Sequence, residues 1–427
     1  MENREGSQTR DHACIEIRDD ALVASMKEKM ENVSTSVCIS RVPDELRKGN
    51  AKTYIPDKVS IGPFHQGNAD LKAMEDHKWR YLYAVLNRNS KFEASLEGCV
   101  KVLRDMEHRA RRCYSETINL PTDDFVQMML VDGCFIIELF LKYAFKNLRR
   151  RSDPIFSTPG LLFDMKCNLI LLENQIPYFV LQRLFQIISI PKQCNLSLNE
   201  LAFRFFSPMI PGDKQALWEK FDQEGNHLLD MIRHYFFPTD PRQQPNSGTQ
   251  QGLDCATHLK KAGIRFKEVK HKSLLDVKFV NGVLEIPPLK IHRYTETLFK
   301  NLIAHEQRHC DNTQHITSYA FLMGSLIFSE KDVKLLTRRH ILISNEGKEK
   351  VSELFRKLCK DEKVKDFYYD YLFEQVSEYK RTKWHASLKK LKCNRPAKIM
   401  FIVAIVLLVL TFVGSLFSVL SFYLHHK

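Results

Sequence analysis

The sequence predicts a mainly α-helical globular domain with one small β-hairpin, followed by a single C-terminal transmembrane helix. Three observations predict it. Apolar residues recur at helical spacing through most of the chain. Glycine and proline number only 16 each in 427 residues, few for an all-β protein whose turns recur every ~10 residues. And the 26 residues from Ile399 to Leu424 carry no charge.

Residues 1–36 are polar, lack sustained periodicity and contain no apolar signal-peptide core, so they read as a mobile tail with a short helix near Ala21–Met30. The globular domain is expected over 37–392. It opens with the turn-rich segment Asn50–Asn68, marked by Pro56, Gly62, Pro63 and Gly67. Helices are expected over 70–90, from Leu71, Met74, Tyr81, Leu82 and Val85, and over 92–116, from Leu96, Val100 and Leu103. Thr122 reads as the N-cap of the next helix, with Asp123 and Asp124 in a first turn that favours negative charge. That helix is apolar on nearly all sides, which makes it central, and Arg149–Arg151 suit its C-terminal end.

Leu161–Ile190 reads as a buried helical pair interrupted at Pro177, and a further helix is expected over 213–236. The Pro/Gln/Ser/Gly-rich loop 238–252 divides the domain into two lobes. Asn281-Gly282 between alternating apolar residues predicts the hairpin, and Pro287 and Pro288 end its second strand. Helices follow over 295–330, 331–343, 346–360 and 364–392. A basic collar, 393–398, leads into the expected span at 399–424.

The net charge of +13, from 64 Lys+Arg against 51 Asp+Glu, is concentrated at one end. From Lys380 to Lys427 there are nine basic residues and no acidic one; the remaining 379 residues hold 55 basic against 51 acidic, a net +4. That distribution removes the main support for nucleic-acid binding. By the positive-inside rule it places the N-terminal domain in the cytosol, in a tail-anchored, single-pass topology with the plasma membrane and its anionic lipid as partner. The helix of about 39 Å would tilt in a ~30 Å hydrocarbon core. Within it, Gly414 and Ser418 form a small-xxx-small pair compatible with a homo-oligomer. Eleven cysteines without CxxC spacing read as free thiols, and Cys393, in the collar, is a chemically reasonable site for palmitoylation.

Six segments together resemble a known pattern: ISRVP (39–43), YIPDKVSIGPF (54–64), LKAMEDHKWRY (71–81), DGCFIIELF (132–140), LLENQIPYFV (171–180) and NLIAHEQ (301–307). With the C-terminal apolar segment they cover about residues 37–424. They resemble the plant-specific domain of unknown function 247 family, the UPF0481 group. The resemblance implies a plant membrane protein, mostly helical, with no established biochemical activity; some grass relatives are associated with self-incompatibility loci.

Two constellations could carry chemistry. His305-Glu306-Gln307-Arg308-His309 is a formal HExxH. On a helix, His305 and His309 would share a face and could hold zinc, with Glu306 as general base and His315 as a third ligand. The extended zinc-protease pattern wants glycine at position 312, where this chain has Asn312. The family resemblance makes the position of His305 apolar or aromatic in most members. Surface histidines on a helix are the expectation, and no metal ligand is assigned.

The second constellation is acidic residues in apolar runs: Asp132, Glu138 and Glu173, the last beside Asn174 and Gln175. A buried carboxylate needs a partner or neutralises. These residues read as a structural network with Arg41, His77, Lys78 or Arg80 as cationic partners, rather than as an acid/base pair. No phosphate loop, dinucleotide turn, nucleophile elbow or kinase signature is present. Arg109, Arg111 and Arg112 read as a solvated helix face. No catalytic, cofactor-binding or metal residue is therefore assigned and no cofactor is expected. The expected function is a non-catalytic interaction or signalling module with a protein partner. The alternatives are a membrane-tethered zinc hydrolase using HEQRH and an oligomeric channel component.

Overall fold

The computed structural model describes residues 37–88, 92–188, 190–191, 193–212, 217–218, 220, 225–239, 252–269, 273–308, 314–359, 364, 367–393 and 395–425, besides Leu22 and Val23. The expected mobile tail thus lies almost wholly outside the described residues, as does most of the 238–252 loop.

Helix α1 (Lys72–Leu86) turns Met74, Lys78, Tyr81, Leu82 and Val85 inward at three- and four-residue spacing. Helix α2 (Phe92–Arg112) follows. Helix α3 (Thr122–Ala144) is buried at nearly every position from Phe125 to Lys142. It is apolar on all sides, so it can bury its surface only by being surrounded. Helices α1, α2, α5 (Tyr178–Ile187) and α6 (Leu198–Phe206) pack on it.

Thr122 is the first helical residue of α3 and does not cap it. Pro121 occupies the capping position without a side-chain bond, and its carbonyl accepts from Phe125 N at 2.9 Å. Its ring presets the backbone for helix entry, so the threonine hydroxyl is not needed there. At the other end Arg149 behaves as expected. Its guanidinium donates to the carbonyls of Lys142 (2.6 Å) and Tyr143 (2.9 Å), which the last helical turn leaves without amide partners.

Helix α4 (Leu161–Leu169) and α5 are separated by a non-helical stretch ending at Pro177, as the sequence predicts. Of the helix expected over 213–236, α7 (Leu228–Phe236) is present; 213–216, 219 and 221–224 lie outside the described residues.

After α8 (Ala256–Lys261), strands β2 (Lys278–Val280) and β3 (Val283–Ile286) form the expected hairpin. Asn281 and Gly282 both have positive φ, 50° and 77°, which a two-residue turn of type I′ requires. The sheet is larger than a hairpin: β1 (Arg265–Glu268) runs parallel to β3, giving the order β1-β3-β2. A second sheet pairs β4 (Leu289–Ile291) in parallel with β5 (Leu342–Ser344).

Helices α9 (Thr295–Arg308) and α10 (His315–Leu326) divide what periodicity joins as 295–330. Helix α11 (Glu330–Arg338) stops short of 343 because 342–344 is strand. Helices α12 (Lys348–Cys359), α13 (Asp370–Cys393) and α14 (Arg395–His425) complete the chain.

The predominantly helical architecture agrees with expectation; the membrane does not. Among the described residues no helix is long and apolar enough to cross a membrane. The transmembrane helix expected over 399–424 is therefore withdrawn, and with it the tail anchor and the single-pass plasma-membrane localisation. Within α14 the hydroxyls of Thr411 and Ser415 are satisfied on the helix itself, donating to Leu408 O (2.9 Å) and Phe412 O (2.8 Å).

The eight cysteines among the described residues are free, as the sequence predicts; the side chain of Cys393 lies outside them.

One turn residue fixes how the Asn50–Asn68 segment meets the core. Gly62 has φ 73° and ψ −175°, a region open essentially to glycine alone. A Cβ there would run into the carbonyl oxygen of Gln175. Gly62→Ala is expected to lower stability by about 2–4 kcal/mol, from backbone strain plus overpacking. Urea unfolding followed by circular dichroism checks it, and an unchanged midpoint would refute the close approach.

Candidate functional site

Three connected groups of buried polar residues stand out among the described residues. The first is built on residues 168–175, where the chain leaves α4 and must satisfy its polar groups without a helical ladder. The Asn168 carboxamide oxygen accepts from three successive amides, Asp57 (3.1 Å), Lys58 (3.0 Å) and Val59 (3.2 Å). Asn174 accepts from Ile61 N at 2.7 Å and donates to Val59 O and Asn168 O, both at 3.0 Å. Gln175 donates to Leu169 O and Leu171 O at 2.8 Å and accepts from Leu229 N at 3.2 Å. Leu172 N donates to Asn301 Oδ1 at 2.9 Å, and Asn301 donates on to Thr53 O at 3.1 Å.

Glu173 completes this group. Its carboxylate accepts from Val42 N (2.8 Å) and from Arg41 (3.3 Å), and pairs with Arg47 and with His65 Nε2 (3.5 Å). Burial pushes its pKa up, but His65, the Val42 amide, Arg47 and Arg41 outweigh it and hold the carboxyl below its ordinary range.

The second group surrounds α3. Asp132 bonds Lys78 Nζ at 2.5 Å and accepts from Gly62 N at 2.8 Å; Lys78 also reaches Ser60 O (3.0 Å) and Glu75 (2.8 Å). Burial would lower the Lys78 pKa, but Asp132 and Glu75 hold it above its usual value. Glu138 pairs with Arg88 and lies 4.0 Å from Lys142, whose ammonium also holds Asp153 at 2.7 Å. The Tyr81 hydroxyl lies 3.0 Å from both Asp153 oxygens.

Asp132, Glu138 and Glu173 thus have the cationic partners their apolar surroundings demand. Arg41 and Lys78 were legible in advance, whereas His77 is half-buried and Arg80 exposed. Sequence reasoning missed Arg47, Arg88, Lys142 and Asp153. Asp153-Pro154 did carry a signal, since Asp153 accepts from Ile155 N at 3.2 Å as the cap of the single turn Pro154–Ser157.

The third group contains the HEQRH segment. His305 is buried on α9, and its Nε2 lies 3.1 Å from Asp230 Oδ1 on α7. Its ring meets that of His227 edge-on at 4.9 Å between centroids. Asp230 also accepts from Arg233 Nε and from Asn226 N, both at 2.9 Å. Burial raises its pKa, yet the His305 hydrogen bond and the charge of Arg233 bring it well below the usual range.

Glu306 is fully buried and accepts from Ile316 N (2.9 Å), Thr317 N (2.8 Å) and Thr317 Oγ1 (2.8 Å). It therefore caps the first turn of α10, where negative charge is favoured. The expectation of surface histidines fails at His305, and the general-base role offered to Glu306 fails because its oxygens are engaged with α10. His309 lies outside the described residues. His315 is half-buried against Phe237 (5.3 Å) and Tyr368 (5.0 Å). Among the described residues no group of three His, Cys, Asp or Glu could hold a metal ion.

One open cavity stands apart from these networks. A cleft of about 790 Å³ lies between 207–212 and the 287–299 segment. Met209, Ile210, Leu298 and Phe299 line it, with Lys290, His292 and Ile343 exposed at its edge. Lys290 on β4 stands in register with Ile343 on β5.

A family described as a plant protein of unknown function, DUF247, matches this chain over residues 39–411. A UPF0481 protein of Arabidopsis thaliana is 35% identical over 382 aligned residues, which cover 83% of this chain and 79% of the relative. A putative UPF0481 protein of the same plant is 25% identical, covering 90% of each chain. No solved structure matches.

The lowered pKa of Glu173 gives a prediction with a definite sign. Its contribution is complete above the ordinary glutamate pKa of ~4.3 and is lost as pH falls through the lower folded value. Glu173→Ala should destabilise by about 3–5 kcal/mol at neutral pH, because it strands the arginines. The gap in melting temperature between the native chain and Glu173→Gln should hold from neutral pH to about 5 and shrink below about 4. A gap constant down to pH 2 would refute the ion pairing.

Proposed function

The chain belongs to the plant DUF247 family of unknown function, and on that premise we propose that it is a non-catalytic module whose cleft at β4 receives an extended segment of a partner protein. The observation that carries this reading is the cleft itself, of a size typical of ligand sites and with an apolar floor. The cleft lies beside a two-stranded sheet. Among the described residues β4 has β5 on one side only, which leaves main-chain groups on its other edge for an added strand. Exposed Ile343 offers an apolar contact, and exposed Lys290 and His292 at the rim favour an acidic residue in the segment.

The buried networks fit this reading. Asp132, Glu173, Asp230 and Glu306 each accept two or more hydrogen bonds from groups that hold the fold together. Their chemistry is occupied with folding, and recognition is left to the surface. No particular observation favours the zinc-hydrolase alternative, whose would-be base is engaged as a helix cap.

Selection of a displayed random-peptide library on the full chain tests the proposal. Enriched peptides should combine an apolar with an acidic residue and protect amides in 207–212 and 287–291 from hydrogen exchange. Ile343→Asp, at an exposed position where substitution costs little stability, should weaken them at least about tenfold, or 1.4 kcal/mol. Lys290→Glu should act selectively on the acidic ones. Protection of another surface, or no enrichment, would refute the cleft as the docking site.

A further inference from the structure

We propose that Cys38 and Cys113 form a redox-active dithiol site that a peroxide closes to an intrachain disulfide. The two residues are brought together by main chain. Cys38 N and Ile39 N both donate to Cys113 O, at 3.0 and 2.8 Å, and Ser115 N donates to Ile39 O at 2.9 Å. These bonds make a parallel bridge pairing Ile39 with Tyr114. Cys38 and Cys113 stand one step earlier in the same register, so their side chains leave the paired backbones toward the same side. Neighbouring paired chains lie about 4.8 Å apart, within the ~4.4–6.8 Å between Cα atoms that a disulfide spans. Both are free thiols, and the Cys113 thiol donates to Arg109 O at 3.5 Å.

The two sulfurs are not equivalent. The thiol of Cys38, together with the charges of Arg109 and Arg112, draws the Cys113 pKa down against the effect of burial. Cys38 is pushed up by the neighbouring Cys113, by burial and by Asp230. Cys113 is the nucleophile and Cys38 the resolving thiol, since the thiolate is the reactive form. Both residues are buried, but exposed Val37 precedes Cys38 and exposed Ser115 and Glu116 follow the Cys113–Tyr114 pair.

In the first step the Cys113 thiolate attacks one oxygen of hydrogen peroxide. The O–O bond breaks, hydroxide leaves and takes a proton to become water, and Cys113 becomes a sulfenic acid. In the second step Cys38 gives up its proton and attacks the Cys113 sulfur, the S–O bond breaks, and a second water leaves. Two thiols lose two electrons in all, and one peroxide gains them. The new bond would fasten the strand at 38–39 to the end of α2. It would also act on the third buried group, because His227 Nε2 lies 3.0 Å from Cys38 O and His227 Nδ1 accepts from Asp230 N at 3.3 Å.

The test uses the full, reduced chain treated with one equivalent of hydrogen peroxide, alkylated with N-ethylmaleimide and digested without reductant. Mass spectrometry should find a peptide linked through Cys38 and Cys113 as the main oxidised product. Dithiothreitol should remove it, while the half-buried Cys194 and Cys255 are recovered alkylated. In Cys38→Ser, dimedone should label Cys113. Recovery of Cys38 and Cys113 as alkylated thiols while other cysteines oxidise would overturn the proposal. So would linkage of Cys113 to another cysteine or to a second chain. The wild-type map alone decides the matter if the variant does not fold.

Discussion

An amide or carboxylate removed from water must have its hydrogen bonds replaced in full, and residues 168–175 meet that requirement by reaching four distant parts of the chain. Asn168 collects three consecutive amides of the Asp57–Val59 turn, Glu173 gathers Arg41, Val42 and Arg47, Gln175 reaches α7, and Leu172 meets Asn301 of α9. Each bond is worth about 1 kcal/mol net. Their larger effect is on specificity: a misplaced turn would leave several buried polar groups unsatisfied together, at about 1–3 kcal/mol each. From 170 onward the segment is not helical, so its side chains and those of the last turn of α4 supply what the backbone of other segments lacks.

The same requirement decided which parts were legible in the sequence. An acid inside an apolar run demands a cation, and that logic anticipated Glu173 with Arg41 and Asp132 with Lys78. Local chemistry was equally readable: Asn281-Gly282 can hardly be anything but a tight hairpin, and Arg149 sits where α3 leaves bare carbonyls. Long-range choices were not readable. His305 and Asp230 are 75 positions apart, and nothing in the spacing of HEQRH announces that the histidine turns inward to α7 while the glutamate turns to α10. The parallel pairing of β1 with β3 and of β4 with β5 depends on tertiary contact, so short apolar runs such as 342–344 read as the tail of a helix. Membrane spanning was inferred from local hydropathy and flanking charge, and it is overturned: among the described residues no helix is long and apolar enough to cross a membrane.

The division of labour among charges is also clear in three dimensions. The near-neutral balance of the first 379 residues conceals a core rich in ions: Glu138, Lys142 and Asp153 share one site, and Asp230 serves Arg233 and His305 together. Removing one member strands the others, whereas an apolar replacement of the whole set need not destabilise. These ions act as locks on the relative placement of α1, α3, α7 and α9.

The Glu306 carboxylate grips the first turn of α10 from the last turn of α9, across the ten positions that separate Glu306 from Ile316. One side chain therefore couples the two helices, so a shift of either one would take the acceptor away from two amides and a hydroxyl at once.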